Sequence, residues 1–307
     1  MYSIFDEKIK EILLPEQVRQ NELLSHHTTF RIGGAADYFL TPKSAEEVQE
    51  ILFLCKQEGI AYYVLGNGSN VLAEDNGYRG VIIHIGNGME QIVMETSDEK
   101  KLRVKAGAGI MLSNLAKKVG QLGYTGFEFA AGIPGTLGGA IVMNAGAYGG
   151  EIKDCIISAK VMKKDGTIVA LKKEELQLGY RTSIVQKEEY IVLEGEFLFE
   201  EGNVQQITNR MNELNQQRRE KQPLEYPSAG STFKRPEGYF AGKLIQDAGL
   251  RGYRVGDIMV SEKHCGFVVN VGQGTARDAK QLMKDVSQKV YEQFQVKLEP
   301  EVRFLGE

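Results

Sequence analysis

Glycine is concentrated in one stretch of the chain, from Gly107 to Gly150, where it supplies twelve of the 44 residues. Ordinary proteins contain about 7% glycine, and glycine in an ordered element costs conformational entropy. Such a density is typical of a backbone that must come close to phosphate oxygens or a flat ring, because no Cβ atom stands in the way. The stretch therefore fits a nucleotide-cofactor cradle. Tight turns in a β-rich domain explain the glycine count equally well.

A second glycine-containing segment, GNGSN at 66–70, follows directly after a predicted strand. Successive backbone N–H groups and the Ser69 hydroxyl are suited to hold a pyrophosphate. The segment lacks the GxGxxG spacing of a Rossmann fold, which fails at Val71, and the GK[ST] of a P-loop. Such a segment alone is more often a plain turn. Together with the glycine-rich stretch in the same half of the chain, it indicates a dinucleotide held between two subdomains.

Three polar residues in other segments have side chains suited to catalysis. Arg181, in GYRTS, offers a planar guanidinium for a carboxylate or a developing oxyanion, although a surface arginine is the default interpretation. Ser231, in AGSTFKRP, lies in a long loop but lacks the GxSxG elbow of a hydrolase nucleophile. Glu301, in EPEVR, lies near the end of the last predicted strand, where a carboxylate is usually solvated or paired, here with Arg303.

The elements that must position these residues begin with an α/β region. Residues 1–24 are predicted as one or two helical segments, and 28–40 as strands around a turn. A helix begins after Ser44, with Glu47 completing a capping box, and Gly59 ends it. Strands at 61–65 and 80–85 complete a small α/β unit.

The rest of the chain is predicted as a β-rich region followed by a third unit. Strands are expected at 101–107, 156–164 and 190–199, with a hairpin at Asp165-Gly166. A helix over 203–219 closes this region. The third unit contains a helix at 241–249, short strands near 257–271, a long helix from Thr275 to Phe294 with Asp278 at its third position, and a strand at 297–305. The fold class is α+β.

The composition restricts the function classes. A net charge of −4 without a long basic block argues against nucleic acid as a partner. No apolar run reaches about 18 residues, so we expect no membrane span, and the N-terminal segment lacks the layout of a signal peptide. The three cysteines, Cys55, Cys155 and Cys265, are far apart, which fits a reducing cytosol. The four histidines lack metal-ligand spacing, and we expect no metal.

Six segments occur together in one order, and as a set they are specific: TTFRIGGAADY, VLGNGSNVL, GIPGTLGGAIVMNAGAYGGE, GYRTS, AGSTFKRP and LEPEVRFLG. The set resembles the UDP-N-acetylenolpyruvoylglucosamine reductases, the MurB family, over about residues 21–306. The resemblance implies an FAD-binding fold of the vanillyl-alcohol oxidase (PCMH) type with a C-terminal substrate domain. The expected division is an FAD-binding subdomain at 1–85, a second at 86–222 and the substrate-binding domain at 223–307.

The resemblance also implies an activity. The family reduces the enolpyruvyl ether of UDP-N-acetylglucosamine to UDP-N-acetylmuramate for peptidoglycan, with NADPH as co-substrate and bound FAD as cofactor. The motif match places the catalytic arginine at Arg181, the serine proton donor at Ser231 and the glutamate at Glu301. The implied setting is the bacterial cytoplasm. A monomer is favoured over an oligomer.

Expected binding residues follow from the same segments. FAD is expected to contact both glycine-containing segments, at Leu65, Gly66, Asn67, Gly68, Ser69, Asn70, Gly132, Ile133, Pro134, Gly135, Gly138, Gly139, Asn144, Gly146 and Ala147. Substrate contacts are expected at Tyr180, Lys221, Lys234 and Arg235. Lys221 and Lys234 flank Ser231 and are both candidates to stabilise its alkoxide.

The chain departs from the family pattern at two places. Arg235 stands where some members have asparagine, and no tyrosine-bearing loop is evident between Arg181 and Ser231, a span with only Tyr190 and Tyr226. We therefore expect the shorter subtype, which leaves open what covers the uridine-diphosphate end of the substrate. The alternatives are a flavin oxidase with the same cofactor fold and a non-catalytic nucleotide-sensing or interaction protein.

Overall fold

The computed structural model describes residues 3–96 and 100–306, so Met1 and Tyr2 of the predicted N-terminal helical segment lie outside it. The chain forms two compact units. Unit 1 comprises Met1–Arg19, Tyr38–Asn67 and Gly80–Gln217, and unit 2 comprises Gln20–Asp37, Gly68–Arg79 and Arg218–Glu307. This division by compactness does not test the predicted domains 1–85, 86–222 and 223–307, which stay a prediction.

Eight α-helices are present in the described residues: α1 (Ser3–Ile12), α2 (Ala45–Glu58), α3 (Leu112–Gln121), α4 (Leu137–Val142), α5 (Ile184–Glu188), α6 (Val204–Lys221), α7 (Ala241–Asp247) and α8 (Ala276–Phe294). Not one of these helices has both the length and the apolar character needed to cross a membrane.

Eighteen β-strands are present in the same residues: β1 (Val18–Leu23), β2 (Ala35–Leu40), β3 (Tyr62–Leu65), β4 (Val71–Ala73), β5 (Tyr78–His84), β6 (Ile92–Thr96), β7 (Leu102–Gly107), β8 (Tyr124–Thr125), β9 (Gly146–Ala147), β10 (Gly150–Glu151), β11 (Ile156–Met162), β12 (Ile168–Lys172), β13 (Ile191–Glu201), β14 (Ser228–Ser231), β15 (Arg254–Val255), β16 (Ile258–Val260), β17 (Phe267–Asn270) and β18 (Arg303–Leu305).

The largest sheet of unit 1 is antiparallel, in the order β12-β11-β13-β7-β6, with β8 pairing the end of β13. Its strands alternate as a half-buried sheet requires: Leu102 and Val104 of β7 are buried, whereas Arg103 and Lys105, which alternate with them, are exposed. Helices α3 and α4 bury their apolar faces in the same core. The predicted strands at 101–107, 156–164 and 190–199 are confirmed to within a few residues.

The predicted α/β region is also present. Strands β3 and β5 pair in parallel, as the strand–helix–strand pattern indicates. The Ser44 hydroxyl caps α2 by accepting from the backbone N–H of Glu47 at 3.2 Å, whereas the Glu47 carboxylate accepts from the backbone N–H of Lys43. Cys55 is buried on the inner face of α2, and burial raises its pKa to about 12, so the thiol stays protonated.

Unit 2 contains a second antiparallel sheet, in the order β14-β17-β16-β15. Helix α8 begins with the predicted capping box, in which the Thr275 hydroxyl accepts from the Asp278 N–H and the Asp278 carboxylate accepts from the Thr275 N–H. Its buried face, which includes Leu282 and Val286, belongs to the core of this unit. Strand β18 pairs in parallel with β4.

Three predicted elements differ from the structure. Residues 18–23 form strand β1 rather than a second helical segment, because Pro15 begins a separate 3-10 turn and Asn21 has a φ of +53°. In the predicted pair of strands at 28–40, only Ala35–Leu40 is extended, and Arg31 has a φ of +56°. The closing strand is limited to Arg303–Leu305.

Candidate active site

The first half of GNGSN packs against the glycine-rich stretch within unit 1. Strand β3 ends at the buried Leu65, and Gly66 then passes so close to Thr136 that a Cβ atom at Gly66 would overlap its hydroxyl oxygen. The Asn67 amide donates to the carbonyl oxygen of Pro134 at 2.7 Å. The structure therefore brings Gly66 and Asn67 next to Pro134, from which Asn67 is separated by 67 positions in sequence.

The segment around Pro134 is fixed by backbone hydrogen bonds to the chain after β7. The N–H of Leu137 donates to Ile110 and that of Gly138 to Ala108, each at 2.8 Å. A Cβ at Gly138 would lie 3.1 Å from the Cβ of Ala108, so packing accounts for this glycine. Gly139 is different, because it is exposed and a Cβ there would meet only the Thr136 hydroxyl, at 3.7 Å. Space thus remains over the backbone at Gly139.

Thr136 is a residue that sequence reasoning missed. It is buried, it meets Gly66, and its hydroxyl accepts from the N–H of Gly139 as the N-cap of α4. A threonine directly before an apolar run is a helix-start signal, and that signal was available in the sequence.

The end of the glycine-rich stretch forms a tight hairpin in unit 1. Strands β9 and β10 pair across Tyr148 and Gly149, which both have positive φ angles, as a two-residue type I′ turn requires. A Cβ at Gly146 would lie 2.7 Å from the carbonyl oxygen of Gly150, so this glycine is needed for the close pairing. Ala147 lies beside it in the same short strand.

Asn144 is fully buried, and protein groups occupy its side chain. Its Nδ2 donates to Glu151 Oε2 at 2.6 Å and to the carbonyl oxygen of Gly179 at 3.0 Å. Its Oδ1 accepts from the backbone N–H of Lys153 at 2.9 Å. Both amide hydrogens are therefore used within unit 1, in contacts to the hairpin on one side and to the GYRTS segment on the other.

Arg181 lies in a turn closed by two backbone hydrogen bonds between Gly179 and Thr182. Its φ is +54°, a conformation that non-glycine residues adopt at a cost of about 1–2 kcal/mol. The guanidinium lies 5.1 Å from the ring centroid of Tyr180, and its Nη2 donates to the carbonyl oxygen of Gly146 at 3.5 Å. Tyr180 is 54% exposed. Unit 1 thus places the predicted arginine next to the predicted cofactor segment.

The second half of GNGSN belongs to unit 2. Gly68 has a φ of +60°, and a Cβ there would overlap the carbonyl oxygen of His27. Asn70 donates from its side chain to the carbonyl oxygen of Glu301 at 3.1 Å and accepts from the N–H of Arg303 at 2.9 Å. The Ser69 carbonyl oxygen is the nearest atom to a Cβ built at Gly230. This half therefore supports the segments that carry Glu301 and Ser231.

Ser231 and Glu301 come together in unit 2 through the residues that flank them. Ser231 is exposed at the end of β14, opposite Phe267. The N–H of Glu301 donates to the carbonyl oxygen of Thr232 at 2.9 Å. Thr232 is buried, and its hydroxyl accepts from the N–H of Val268. The Glu301 residue is 9% exposed.

The remaining predicted contacts are spread along unit 2. Lys221 ends α6 and is exposed. The Lys234 ammonium donates to Glu299 at 3.2 Å, two residues before Glu301. The Arg235 guanidinium lies 3.9 Å from the ring centroid of Phe240, which is 61% exposed. Among the described residues, no group of three or more His, Cys, Asp and Glu side chains is arranged to hold a metal ion.

A curated protein of Lachnoclostridium phytofermentans named UDP-N-acetylenolpyruvoylglucosamine reductase is 55% identical to this chain, over 100% of the chain and 99% of the relative. This chain belongs to the UDP-N-acetylenolpyruvoylglucosamine reductase family. The family model for the C-terminal domain of that reductase matches residues 222–305, and a model for an FAD binding domain matches residues 36–172. The resemblance found from the six sequence segments is confirmed.

Solved structures support the same family and fold. A crystal structure of UDP-N-acetylenolpyruvylglucosamine reductase from Thermus caldophilus is 35% identical and covers 94% of this chain and 99% of that chain, with a TM-score of 0.79. The structure of p-cresol methylhydroxylase, 15% identical over 66% of this chain and 44% of that chain, matches in fold alone with a TM-score of 0.50. The predicted α+β fold, an FAD-binding fold of the vanillyl-alcohol oxidase (PCMH) type followed by a C-terminal domain, is confirmed.

The residues of unit 1 fit a flavin dinucleotide. The backbone at Gly139 is exposed with room for an approaching group, and the Thr136 hydroxyl lies next to both Gly139 and Gly66. A glycine-lined backbone of this kind suits pyrophosphate oxygens, which N–H groups bind without hindrance from a Cβ.

Proposed function

We propose that this protein is a UDP-N-acetylmuramate dehydrogenase, which reduces UDP-N-acetyl-3-O-(1-carboxyvinyl)-glucosamine to UDP-N-acetylmuramate in peptidoglycan precursor synthesis. The observation that carries the proposal is the full-length match to a reductase of that name at 55% identity. The backbone hydrogen bond from Glu301 to Thr232, the residue after Ser231, adds structural support. We propose the bacterial cytoplasm as its location and a monomer as its working form.

When bound, FAD supplies the redox chemistry, carrying a hydride from NADPH to the terminal vinyl carbon of the substrate. The proposed holding residues in unit 1 are Leu65, Gly66, Asn67, Gly132, Ile133, Pro134, Gly135, Gly138, Gly139, Asn144, Gly146 and Ala147, and those in unit 2 are Gly68, Ser69 and Asn70. In this proposal, residues 1–85 and 86–222 are the FAD-binding subdomains and 223–307 the substrate-binding domain.

Arg181 is proposed to stabilise the negative charge of the reaction. Hydride addition leaves an electron pair on the carbon next to the substrate carboxylate, and the pair delocalises into that group as an enolate. A fixed guanidinium in a water-poor site stabilises such a charge more than a mobile solvent shell does. The closed turn between Gly179 and Thr182 limits the movement of Arg181, which supports this role.

Ser231 is proposed as the general acid that completes the reaction. Its hydroxyl donates a proton to the enolate carbon, which forms the new C–H bond and leaves a serine alkoxide. The alkoxide regains its proton from solvent before the next turnover. The exposure of Ser231 at the end of β14 supports this role, since both the substrate and a proton source must reach the hydroxyl.

Glu301 is proposed to donate a hydrogen bond from its protonated carboxyl to the enolate. This role requires the carboxyl to be protonated when the enolate forms. Its backbone hydrogen bonds to Thr232 and Asn70 hold it near the serine segment. Tyr180, Lys221, Lys234 and Arg235 are proposed as substrate contacts.

The sequence contains no second nucleotide fingerprint, so we propose that NADPH and the UDP-sugar use one pocket in turn. Ping-pong kinetics follow from this arrangement, with parallel lines in double-reciprocal initial-rate plots. Intersecting lines would count against a shared pocket while leaving the overall reaction intact.

The test of the function is anaerobic flavin absorbance on the purified holoenzyme. NADPH is added first, and the enolpyruvyl sugar second. We expect bleaching of the oxidised flavin absorbance, followed by recovery of the oxidised spectrum. Bleaching that only oxygen reverses would keep the flavoprotein assignment and reject the substrate, and would favour a flavin oxidase.

A further inference from the structure

We propose that Asn144 is a positioning residue for Arg181: its buried side chain fixes the turn that carries the guanidinium. The inference rests on the proposed function, because the role of Arg181 comes from it. It assigns Asn144 a task other than direct cofactor contact through its amide group.

The side-chain amide of Asn144 has hydrogen-bond partners at both its nitrogen and its oxygen. Both Nδ2 hydrogens are donated, one to Glu151 and one to the carbonyl oxygen of Gly179. The Oδ1 accepts from Lys153, and the residue is 0% exposed. Its φ of +42° is tolerated by asparagine better than by most residues with a side chain. A buried amide with this many partners fixes the chain segments that it joins.

One of these hydrogen bonds reaches the turn that carries Arg181, at the carbonyl oxygen of Gly179. Gly179 is the first residue of the turn that contains Tyr180 and Arg181, and its carbonyl oxygen also accepts from the N–H of Thr182. Asn144 therefore adds a second donor to the oxygen atom that closes the turn. Because Arg181 has a φ of +54°, the turn stores strain and needs external contacts to persist.

A second hydrogen bond attaches the chain at the other end of the turn. The buried Ser183 donates from its hydroxyl to the carbonyl oxygen of Val142 at 2.7 Å. Val142 and Asn144 are two residues apart in sequence, so the first residue of the turn and the residue that follows its end are attached to one short segment. Arg181 itself reaches back to the carbonyl oxygen of Gly146 in the following residues. The segment 142–146 thus sets the position of the guanidinium.

The first test is hydrogen–deuterium exchange of the holoenzyme, which does not depend on the substrate assignment. Asn144→Asp replaces both donors with acceptors and faces the Glu151 carboxylate and the Gly179 carbonyl. We expect peptides covering 179–183 to exchange at least tenfold faster in Asn144→Asp than in the wild type. The matched control is Asn270→Asp, a buried asparagine of unit 2 whose Oδ1 accepts from two backbone N–H groups. Unchanged exchange at 179–183 would overturn the inference, whatever the enzyme proves to reduce.

The second test is a double-mutant cycle on the two half-reactions. At saturating FAD, Asn144→Asp should slow flavin reoxidation by the enolpyruvyl sugar 10- to 100-fold, and it should slow flavin reduction by NADPH less. Added to Arg181→Ala, it should slow reoxidation less than threefold further, because its effect passes through Arg181. Additive effects, or equal losses in both half-reactions, would overturn the inference.

Failure of the proposed function and failure of the inference about Asn144 are distinguishable. A wild-type enzyme that the sugar does not reoxidise would reject the proposed function, and exchange at 179–183 would still decide whether Asn144 holds the turn. If Asn144→Asp does not fold, Asn144→Ser removes the two donors without adding charge, and the same exchange and rate criteria apply to it.

Discussion

Half of the unit 1 residues proposed to hold the cofactor are glycines, whereas the unit 2 residues proposed to act on the substrate all have polar or charged side chains: Ser231, Glu301, Lys221, Lys234 and Arg235. The difference follows from what each group must do. A cofactor approached by backbone N–H groups requires that side chains be absent, as at Gly139. A proton transfer requires a particular side chain held by its neighbours, as Ser231 is by strand pairing. Substitutions in the two units should therefore fail in different ways.

The largest effect is expected at Ser231. Ser231→Ala removes the proposed proton donor, and we expect flavin reoxidation by the enolpyruvyl sugar to slow by about 10³-fold, within the range for general acids. Flavin reduction by NADPH should remain within twofold of wild type. Stopped-flow absorbance measures both rates.

Ser228→Ala is the matched control, since Ser228 lies in the same strand and its backbone makes the hydrogen bonds to Thr29. It should leave both half-reactions unchanged. Equal losses in the two half-reactions of Ser231→Ala would show that the serine is not the proton donor.

Glu301 should give the next largest effect. Glu301→Ala removes a hydrogen-bond donor to the enolate, which for comparable donors costs about 10²- to 10³-fold in rate. Glu301→Gln keeps an N–H donor and should recover at least tenfold of that loss in single-turnover reoxidation. A glutamine variant as slow as the alanine variant would mean that donation from this position is not what the reaction uses.

Gly139 tests the unit 1 side of the contrast. An added Cβ meets only the Thr136 hydroxyl at 3.7 Å, and alanine favours a helix by about 1 kcal/mol over glycine. The apoprotein of Gly139→Ala should therefore melt no lower than wild type. FAD should bind about tenfold more weakly, because the methyl group occupies space that the cofactor needs. Unchanged FAD affinity in a fluorescence titration would remove Gly139 from the cradle.

Gly66, in the same unit, should lose stability when substituted, whereas Gly139 should lose only FAD affinity. A Cβ at Gly66 overlaps the hydroxyl oxygen of the buried Thr136, so Gly66→Ala should destabilise the apoprotein by about 1–3 kcal/mol, as overpacking does. Thermal unfolding of the apoprotein measures this. Gly66→Ala combined with Thr136→Ser keeps the overlapping oxygen, whereas Thr136→Ala removes it, so only the alanine background should reduce the loss.

The smallest effect concerns pH and His264 in unit 2. Burial, together with the charge of Arg251, lowers the pKa of His264, so the native state takes up a proton less readily than the unfolded chain. Its contribution to stability is present above the unfolded pKa of about 6.5 and is lost as the pH falls through the lower native value. The fall in Tm between about pH 7.5 and 5.5 should be smaller in His264→Gln. An identical fall in both proteins would assign the pH dependence to other groups.

The sequence predicts the fold better than it predicts the contacts of the site. Local signals such as the Thr275–Asp278 capping box and the alternation of β7 act over a few residues, and both appear as expected. The prediction for residues 18–23 is wrong because their strand forms by pairing with β2, and the pattern within 18–23 does not indicate that partner. The resemblance supplied the family, which no single motif carried.

In the candidate site too, contacts between residues far apart in sequence could not be predicted. GNGSN reads as one segment, yet Gly66 and Asn67 belong to unit 1 while Gly68, Ser69 and Asn70 belong to unit 2. The hydrogen bond from Asn144 to Gly179 joins residues that are 35 positions apart, and no spacing rule predicts it. The assignment of individual cofactor and substrate contacts stays a prediction until variants are measured.

The most direct test of the contrast between the units measures two quantities on two variants: the Kd for FAD and the rate of flavin reoxidation by the enolpyruvyl sugar, in Gly139→Ala and in Ser231→Ala. We predict that Gly139→Ala weakens FAD binding about tenfold and, once saturated with FAD, reoxidises at close to the wild-type rate. Ser231→Ala should bind FAD normally and reoxidise about 10³-fold more slowly. The account is contradicted if Ser231→Ala weakens FAD binding as much as Gly139→Ala does, or if saturated Gly139→Ala reoxidises as slowly as Ser231→Ala.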